Sequence, residues 1–258
     1  MTWPDLISVV SAFLTVVALV LALPQLMVAR RQAREIQQIR LSLSTRYIGT
    51  FPKYLRDIVN FVEDAESEII ICSNFATSGF FSAHSTWRQY RNALEERQDA
   101  NVSVEIILPD EAHRERLNEQ DFAFSDEAWI QWKSNPAFQE GIKELIATTA
   151  TTGSRVKIAD LEKSTLIKLV EDNDKKALDT TFHRAKVVLT SFVSPLHFWI
   201  IDGRKAIFTI PFTAALGEPP LLGIRGYGFM TSDTDLIRAL YHIRDRYKLG
   251  HQSIGPPG

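Results

Sequence analysis

Hydrophobic and polar positions divide this chain into stretches with different rhythms. From Leu6 to Ala29 there is no charged side chain, and the 24 residues are almost uninterruptedly apolar. At 1.5 Å rise per residue such a helix is about 36 Å long, enough to cross a hydrocarbon layer about 30 Å thick. A core helix would show a polar stripe every three to four residues, and none is present. Ser8, Ser11 and Thr15 can bond back to their own helix, and Pro24 lies near one end, where it bends the span without breaking it. The pattern predicts a transmembrane helix that includes Leu6, Val16 and Leu23.

Residues 30–46 follow a different rhythm. They carry Arg30, Arg31, Arg34, Arg40 and Arg46 against one acid, Glu35, and contain neither Gly nor Pro. This composition predicts that the helix continues past the bilayer, as a juxtamembrane helix or linker over 30–49. Ile36, Ile39 and Leu43 form a narrow stripe, suited to pairing with a second copy in a homodimer or to lying against the rest of the chain. Positive charge beside an apolar span stays on the cytoplasmic side. Met1–Asp5 offers no basic leader, and no small-residue cleavage site follows the run. The expectation is an uncleaved, single-pass anchor in the inner cell membrane, with a cytoplasmic C-terminal body.

Beyond residue 50, strand and helix periods alternate. Thr50-Phe51-Pro52 reads as a helix start, with Tyr54, Leu55, Ile58, Val59, Phe61 and Val62 on a wide apolar face. Glu68–Asn74 reads as a buried strand, Thr86–Arg97 as a helix and Val102–Leu108 as a second strand. Residues 111–147 read as helical, with Trp129, Trp132, Ile142 and Leu145 turned inward. Arg155–Ala159 reads as a short strand and Asp160–Asp179 as a charged surface helix. Four apolar, β-branched runs follow at Lys186–Phe192, His197–Ile201, Ala206–Ile210 and Ile224–Met230. Asp202-Gly203 between two of them predicts a hairpin. Asp233 is placed to cap a last helix with Leu236, Ile237, Leu240 and Tyr241 inward, and the tail from 249 is expected to be disordered. The predicted fold class is α/β, a mixed β-sheet sandwiched by helices over 50–248 and preceded by one transmembrane helix.

Charge refines this picture. The chain has 29 basic and 31 acidic residues, and removing the Arg-rich segment and the N-terminus leaves 24 basic and 29 acidic from 47 onward. A mildly acidic body argues against a nucleic-acid partner, which calls for a basic excess. The Arg cluster, with Arg30, Arg31 and Arg34 nearest the span, suits anionic lipid headgroups. The one cysteine, Cys72, rules out an internal disulfide and sits in an apolar strand, as a packed thiol would. The histidines are scattered without metal-ligand spacing, so no metal or other cofactor is expected.

The segment PLHFWIIDGRKAIFTIPF, followed by GYGFMTSDTDLIRAL, resembles the C-terminal motif region of phospholipase D-like domains. The helix running into EIIICSNF is similar to the opening of such a domain, and the likeness covers about residues 50–248, one half of the two-lobed enzyme. In that family an H-x-K-x4-D motif is followed by Gly-Ser and an Asn. The His attacks phosphorus, and the Lys and Asn hold the phosphate oxygens. With the register set on Asp202-Gly203, Pro195 stands at the His position and His197 at the Lys position. Thr209 and Ile210 stand at Gly-Ser and Thr213 at the Asn, and only Asp202 is retained. Proline is no nucleophile, and a neutral imidazole replaces a fixed ammonium poorly.

The resemblance therefore implies the fold with a degenerate motif: a membrane-anchored, catalytically inactive domain that binds or regulates. The alternative is a phosphodiester hydrolase in which His197 acts within a dimer, oriented by Asp202 and partnered by His84. A ligand pocket is expected at the C-terminal end of the 68–74 strand, from Ser73, Asn74, Ser78 and His84 together with Thr209 and Thr213. It suits a small phosphate-bearing molecule.

Overall fold

The computed structural model describes residues 44–121, 126–149, 158, 161–211 and 226–252. Leu6, Val16, Leu23, Arg30, Arg31, Arg34 and Thr213, the side chain of Trp132, and the expected strand at Arg155–Ala159 apart from Ile158 lie outside the described residues. Among the described residues, no helix is long and apolar enough to cross a membrane.

The elements in chain order are β1 (Thr45–Thr50), α1 (Leu55–Glu63), β2 (Glu68–Cys72), α2 (His84–Asp99), β3 (Ser103–Pro109), α3 (Glu111–Asp121), α4 (Asp126–Lys133) and α5 (Pro136–Thr149). After them come α6 (Lys163–Thr180), β4 (Lys186–Thr190), β5 (His197–Ile201), β6 (Lys205–Pro211), β7 (Gly226–Thr231) and α7 (Thr234–Gln252). The strands form one mixed sheet in the order β1-β7-β6-β5-β2-β3-β4. β2, β3 and β4 run parallel, as helical crossovers require. β5 turns antiparallel against β2, and β5, β6 and β7 continue as antiparallel neighbours. Ile201 pairs with Lys205, and the three-residue β5–β6 turn between them opens with Asp202 and Gly203 in left-handed backbone, φ +51° and +63°.

Because side chains alternate across a strand, each central strand feeds two cores. Ile69, Ile71, Ile106, Leu108, Trp199, Ile201 and Ile207 pack into the larger one, with α1, α2, α5 and α6. Ile70, Cys72, Ile107, Phe198, Ile200, Ala206 and Phe208 pack into the other, with Ile237 and Leu240 of α7. Strands buried on both faces read as unbroken apolar runs, which is why EIIIC shows no alternation. Glu105 on β3 fastens α7 to the sheet, accepting from Arg244 Nε at 2.7 Å and Lys248 Nζ at 2.6 Å. Its burial opposes ionisation, but those two cations hold its pKa below the usual carboxylate range.

Several elements depart from expectation. Thr45–Thr50 is a strand where the sequence carries a helix through 46, because Thr45, Tyr47, Ile48 and Thr50 suit an exposed edge strand better than a helix. The first helix begins at Leu55, after a turn through Phe51–Tyr54, instead of at Pro52. α6 is a charged surface helix with one buried stripe of Leu166, Val170, Asp174 and Ala177. α7 continues to Gln252, past residue 249, where the tail was expected to begin. Asp233 caps it as expected, accepting from the N–H groups of Asp235 and Leu236 at 3.0 and 2.9 Å.

Candidate functional site

The start of β5 and the end of β2 bring four of the expected site residues together. β5 pairs antiparallel with β2 through Phe198↔Cys72, so His197 falls beside Ser73 and Asn74, just past the strand. Across the sheet His197 pairs directly with Thr209 of β6, which puts their Cβ atoms about 5 Å apart on one face. His197 is buried, and its ring is held at both nitrogens. Nδ1 lies 3.4 Å from Ser73 Oγ and Nε2 lies 3.4 Å from Asn74 Nδ2.

The direction of these bonds follows from Asn74. Its amide is clamped to the Ser194 backbone: Oδ1 accepts from the Ser194 N–H at 3.0 Å, and Nδ2 donates to the Ser194 carbonyl at 3.2 Å. The Nδ2 group therefore faces the imidazole, and it can only donate. Nε2 must accept, so the ring proton sits on Nδ1 and is donated to Ser73. Ser73 in turn donates to the Phe75 carbonyl at 3.1 Å, with Ser78 Oγ also at 3.1 Å. Burial lowers the His197 pKa to about 4, so the ring is neutral at physiological pH.

This arrangement is the reverse of a catalytic one. A serine is activated when an imidazole accepts its proton, whereas here the imidazole donates. A histidine nucleophile needs a free lone pair, and the lone pair of Nε2 points at an amide. Among the described residues, none of the side chains bonded to His197 is cationic, so nothing there would hold a phosphate. Thr209 is engaged too. Its Oγ1 meets the hydroxyl of fully buried Tyr54 at 2.6 Å. Tyr54 in turn leaves no space at Gly228, where an added Cβ would approach its ring to 2.7 Å.

The expected pocket is present only as a void. Ser73 and Ser78 line a cavity with Phe51, Phe75, Tyr90 and Trp199. Its free space is about 10 Å³, room for roughly one water molecule and not for a phosphate. Of the residues expected to line that pocket, Ser73 and Ser78 bond each other, whereas Asn74 is tied to Ser194 and Thr209 to Tyr54. His84 stands apart at the start of α2. Its Nε2 contacts Glu144 at 2.8 Å and its Nδ1 the Phe80 carbonyl at 3.2 Å, so it does not partner His197.

Asp202 also does not orient His197. It follows the far end of β5, five residues on and about 16 Å along the strand. Its carboxylate is a backbone clamp for the chain entering β2. Oδ1 accepts from the N–H groups of Ser67 and Glu68 at 2.7 and 2.9 Å and from the Ser67 hydroxyl at 2.7 Å, while Oδ2 accepts from the Glu66 N–H at 3.1 Å. Burial opposes its ionisation, but the Glu68 N–H, the Ser67 hydroxyl and the other two amides lower its pKa to about 2. Cys72 is inert as expected, its thiol pushed up to about 12 by burial.

A second polar cluster escaped sequence reasoning. Asp174 on α6 is buried, and its Oδ1 accepts from the Thr77 N–H and hydroxyl at 3.0 and 3.1 Å. Arg114 Nε lies 3.6 Å from its other oxygen. Burial raises the Asp174 pKa more than Arg114 and Thr77 lower it. The available signal was spacing, since Asp174 falls in register with Leu166, Val170 and Ala177 on one helix face. Among the described residues, no group of three or more His, Cys, Asp or Glu side chains is placed to hold a metal ion.

No family model matches the chain, and no curated protein matches it. Solved structures similar to it include TrmBL2, an archaeal chromatin protein described with a novel mode of DNA binding, at 10% identity and a TM-score of 0.38 over 86% of this chain. This chain spans 62% of TrmBL2, less than two thirds of its length. NucT from Helicobacter pylori is similar at 11% identity and a TM-score of 0.37, over 80% of this chain and 96% of that one. Nuc from Salmonella typhimurium, a phospholipase D family member, is similar at 9% identity and a TM-score of 0.39, over 80% and 95%. At these scores the likenesses assign neither a family nor an activity, and the chemistry has to be read from the residues themselves.

Proposed function

We propose that this chain is a membrane-tethered, cytoplasm-facing domain of the phospholipase D-like type that has lost its catalytic chemistry and acts by binding or regulation. The tether is supported by the charge-free run Leu6–Ala29 and the Arg cluster that follows it. The family assignment is supported by the strand, Asp-Gly turn and strand over 197–211 and by the helix that leads into β2.

One observation carries the loss of catalysis. At the place where the resemblance puts the reacting groups, the buried His197 ring lies 3.4 Å from both Asn74 and Ser73, and burial lowers its pKa to about 4. Pro195 cannot replace it as a nucleophile. The space beneath Ser73 and Ser78 is too small for a phosphate-bearing ligand.

The test is turnover. Full-length protein in detergent micelles is incubated with a chromogenic bis-aryl phosphodiester, with His197→Ala as control. The expected result is no turnover above the variant's. Hydrolysis that disappears in His197→Ala would establish the alternative, a phosphodiesterase acting through His197.

A further inference from the structure

The second face of the sheet is covered unequally. α7 lays Ile237 and Leu240 over β5, β2 and β3, with Val188 of β4 packed at the margin. Toward the opposite edge the same face carries Phe208 and Ile210 of β6, opposite Phe229 and Tyr227 of β7. Phe229 stacks on Phe208 with ring centroids 5.4 Å apart. Tyr47 of edge strand β1 packs on Phe229 and Tyr227 at 5.7 and 6.2 Å. Tyr47, Ile210 and Tyr227 remain 56%, 47% and 46% exposed. Scattered apolar residues need no explanation, but this is a contiguous aromatic and aliphatic patch.

Chain length and charge indicate what covers it. The patch begins on the first strand after the Arg-rich segment, and only residues 30–43 separate Ser44 from the apolar run that ends at Ala29. Fully extended, those 14 residues reach about 50 Å, and as a helix about 21 Å. A tether that short keeps the β1 edge near the lipid surface at a high effective concentration, so weak docking is populated. Tyrosine rings favour the headgroup level, and the neighbouring arginines favour anionic lipid.

We propose that the patch formed by Tyr47, Ile210, Tyr227 and Phe229 docks on the anionic headgroup layer of the bilayer that holds the anchor. This laying of the domain on its side against the membrane rests on the tether proposed above. The full chain is reconstituted in phosphatidylcholine–phosphatidylglycerol vesicles as Tyr227→Cys, labelled with bimane, and titrated with headgroup spin-labelled lipid. Cys72 is buried and stays unlabelled. Lys176→Cys, exposed on α6 across the sheet, is the reference.

Docking predicts several-fold stronger quenching at 227 than at 176. Equal quenching in chains that float with the vesicles overturns the docking and leaves the tether standing. Failure to float overturns the tether, and the docking with it. A blue-shifted label at 227 that responds to protein concentration and not to spin-labelled lipid assigns the patch to a second copy and also overturns the docking.

Discussion

The two ends of β5 hold the two residues that the sequence marks most strongly, and they are treated in opposite ways. At one end Asp202 is kept charged and its four bonds tie the hairpin to the start of β2. At the other end His197 is kept uncharged, buried among amide and hydroxyl partners. A carboxylate on three backbone amides stabilises the fold whatever happens at the far end of the strand. A buried imidazole with both nitrogens in hydrogen-bonding reach of a neighbour is likewise built into the packing at its own end. The contrast shows that a charged and an uncharged group at the two ends of one strand can both be engaged by bonds internal to the fold.

The largest test of this contrast is the pH dependence of stability. The His197 pKa falls from about 6.5 unfolded to about 4 folded, so the unfolded state binds more protons between those values. Stability is fully present above about 6.5 and declines by about 3 kcal/mol as the pH falls toward 4, measured by urea denaturation. His197→Gln should flatten that decline. Asp202 works in a lower window: its pKa is depressed, so its contribution is present above about 3.8 and is lost as the pH falls toward 2.

Removing the clamp is expected to cost somewhat less. Asp202→Ala should lower unfolding stability by about 2 kcal/mol while leaving the His197 titration unchanged, because the two ends share no partner. A shift of the His197 midpoint in that variant would mean the ends are coupled. The smallest effect is expected at the neighbouring hydroxyl pair: Tyr54→Phe strands Thr209 Oγ1 in the core and should cost about 1 kcal/mol in the same denaturation experiment.

The strands and the hairpin were legible because their signals are local. β5 matches the run His197–Ile201, and the Asp-Gly turn specifies its own left-handed backbone. Edge strand β1 was hidden by its charged and polar neighbours, which read as a continuing helix. The buried stripe of α6 was hard to see among its many charges, although Asp174 stood in register with it. At the site, Ser73, Asn74 and Thr209 could be named from the sequence, but not their partners Ser78, Ser194 and Tyr54. The two-point bond from Asn74 to Ser194, which sets the imidazole tautomer, joins residues 120 apart in the chain. No spacing rule reaches that far. Asp202 is named by the resemblance and His84 by its chemistry, and the strand length separates Asp202 from His197.

The central claim is the protonation state of one ring, and nitrogen NMR of the His197 imidazole reads it directly. A neutral ring with its proton on Nδ1 that resists protonation until the pH approaches 4 is the predicted result. A ring protonated on Nε2, or one that titrates near the free-histidine value of about 6.5, would contradict the account and return His197 to the list of working groups.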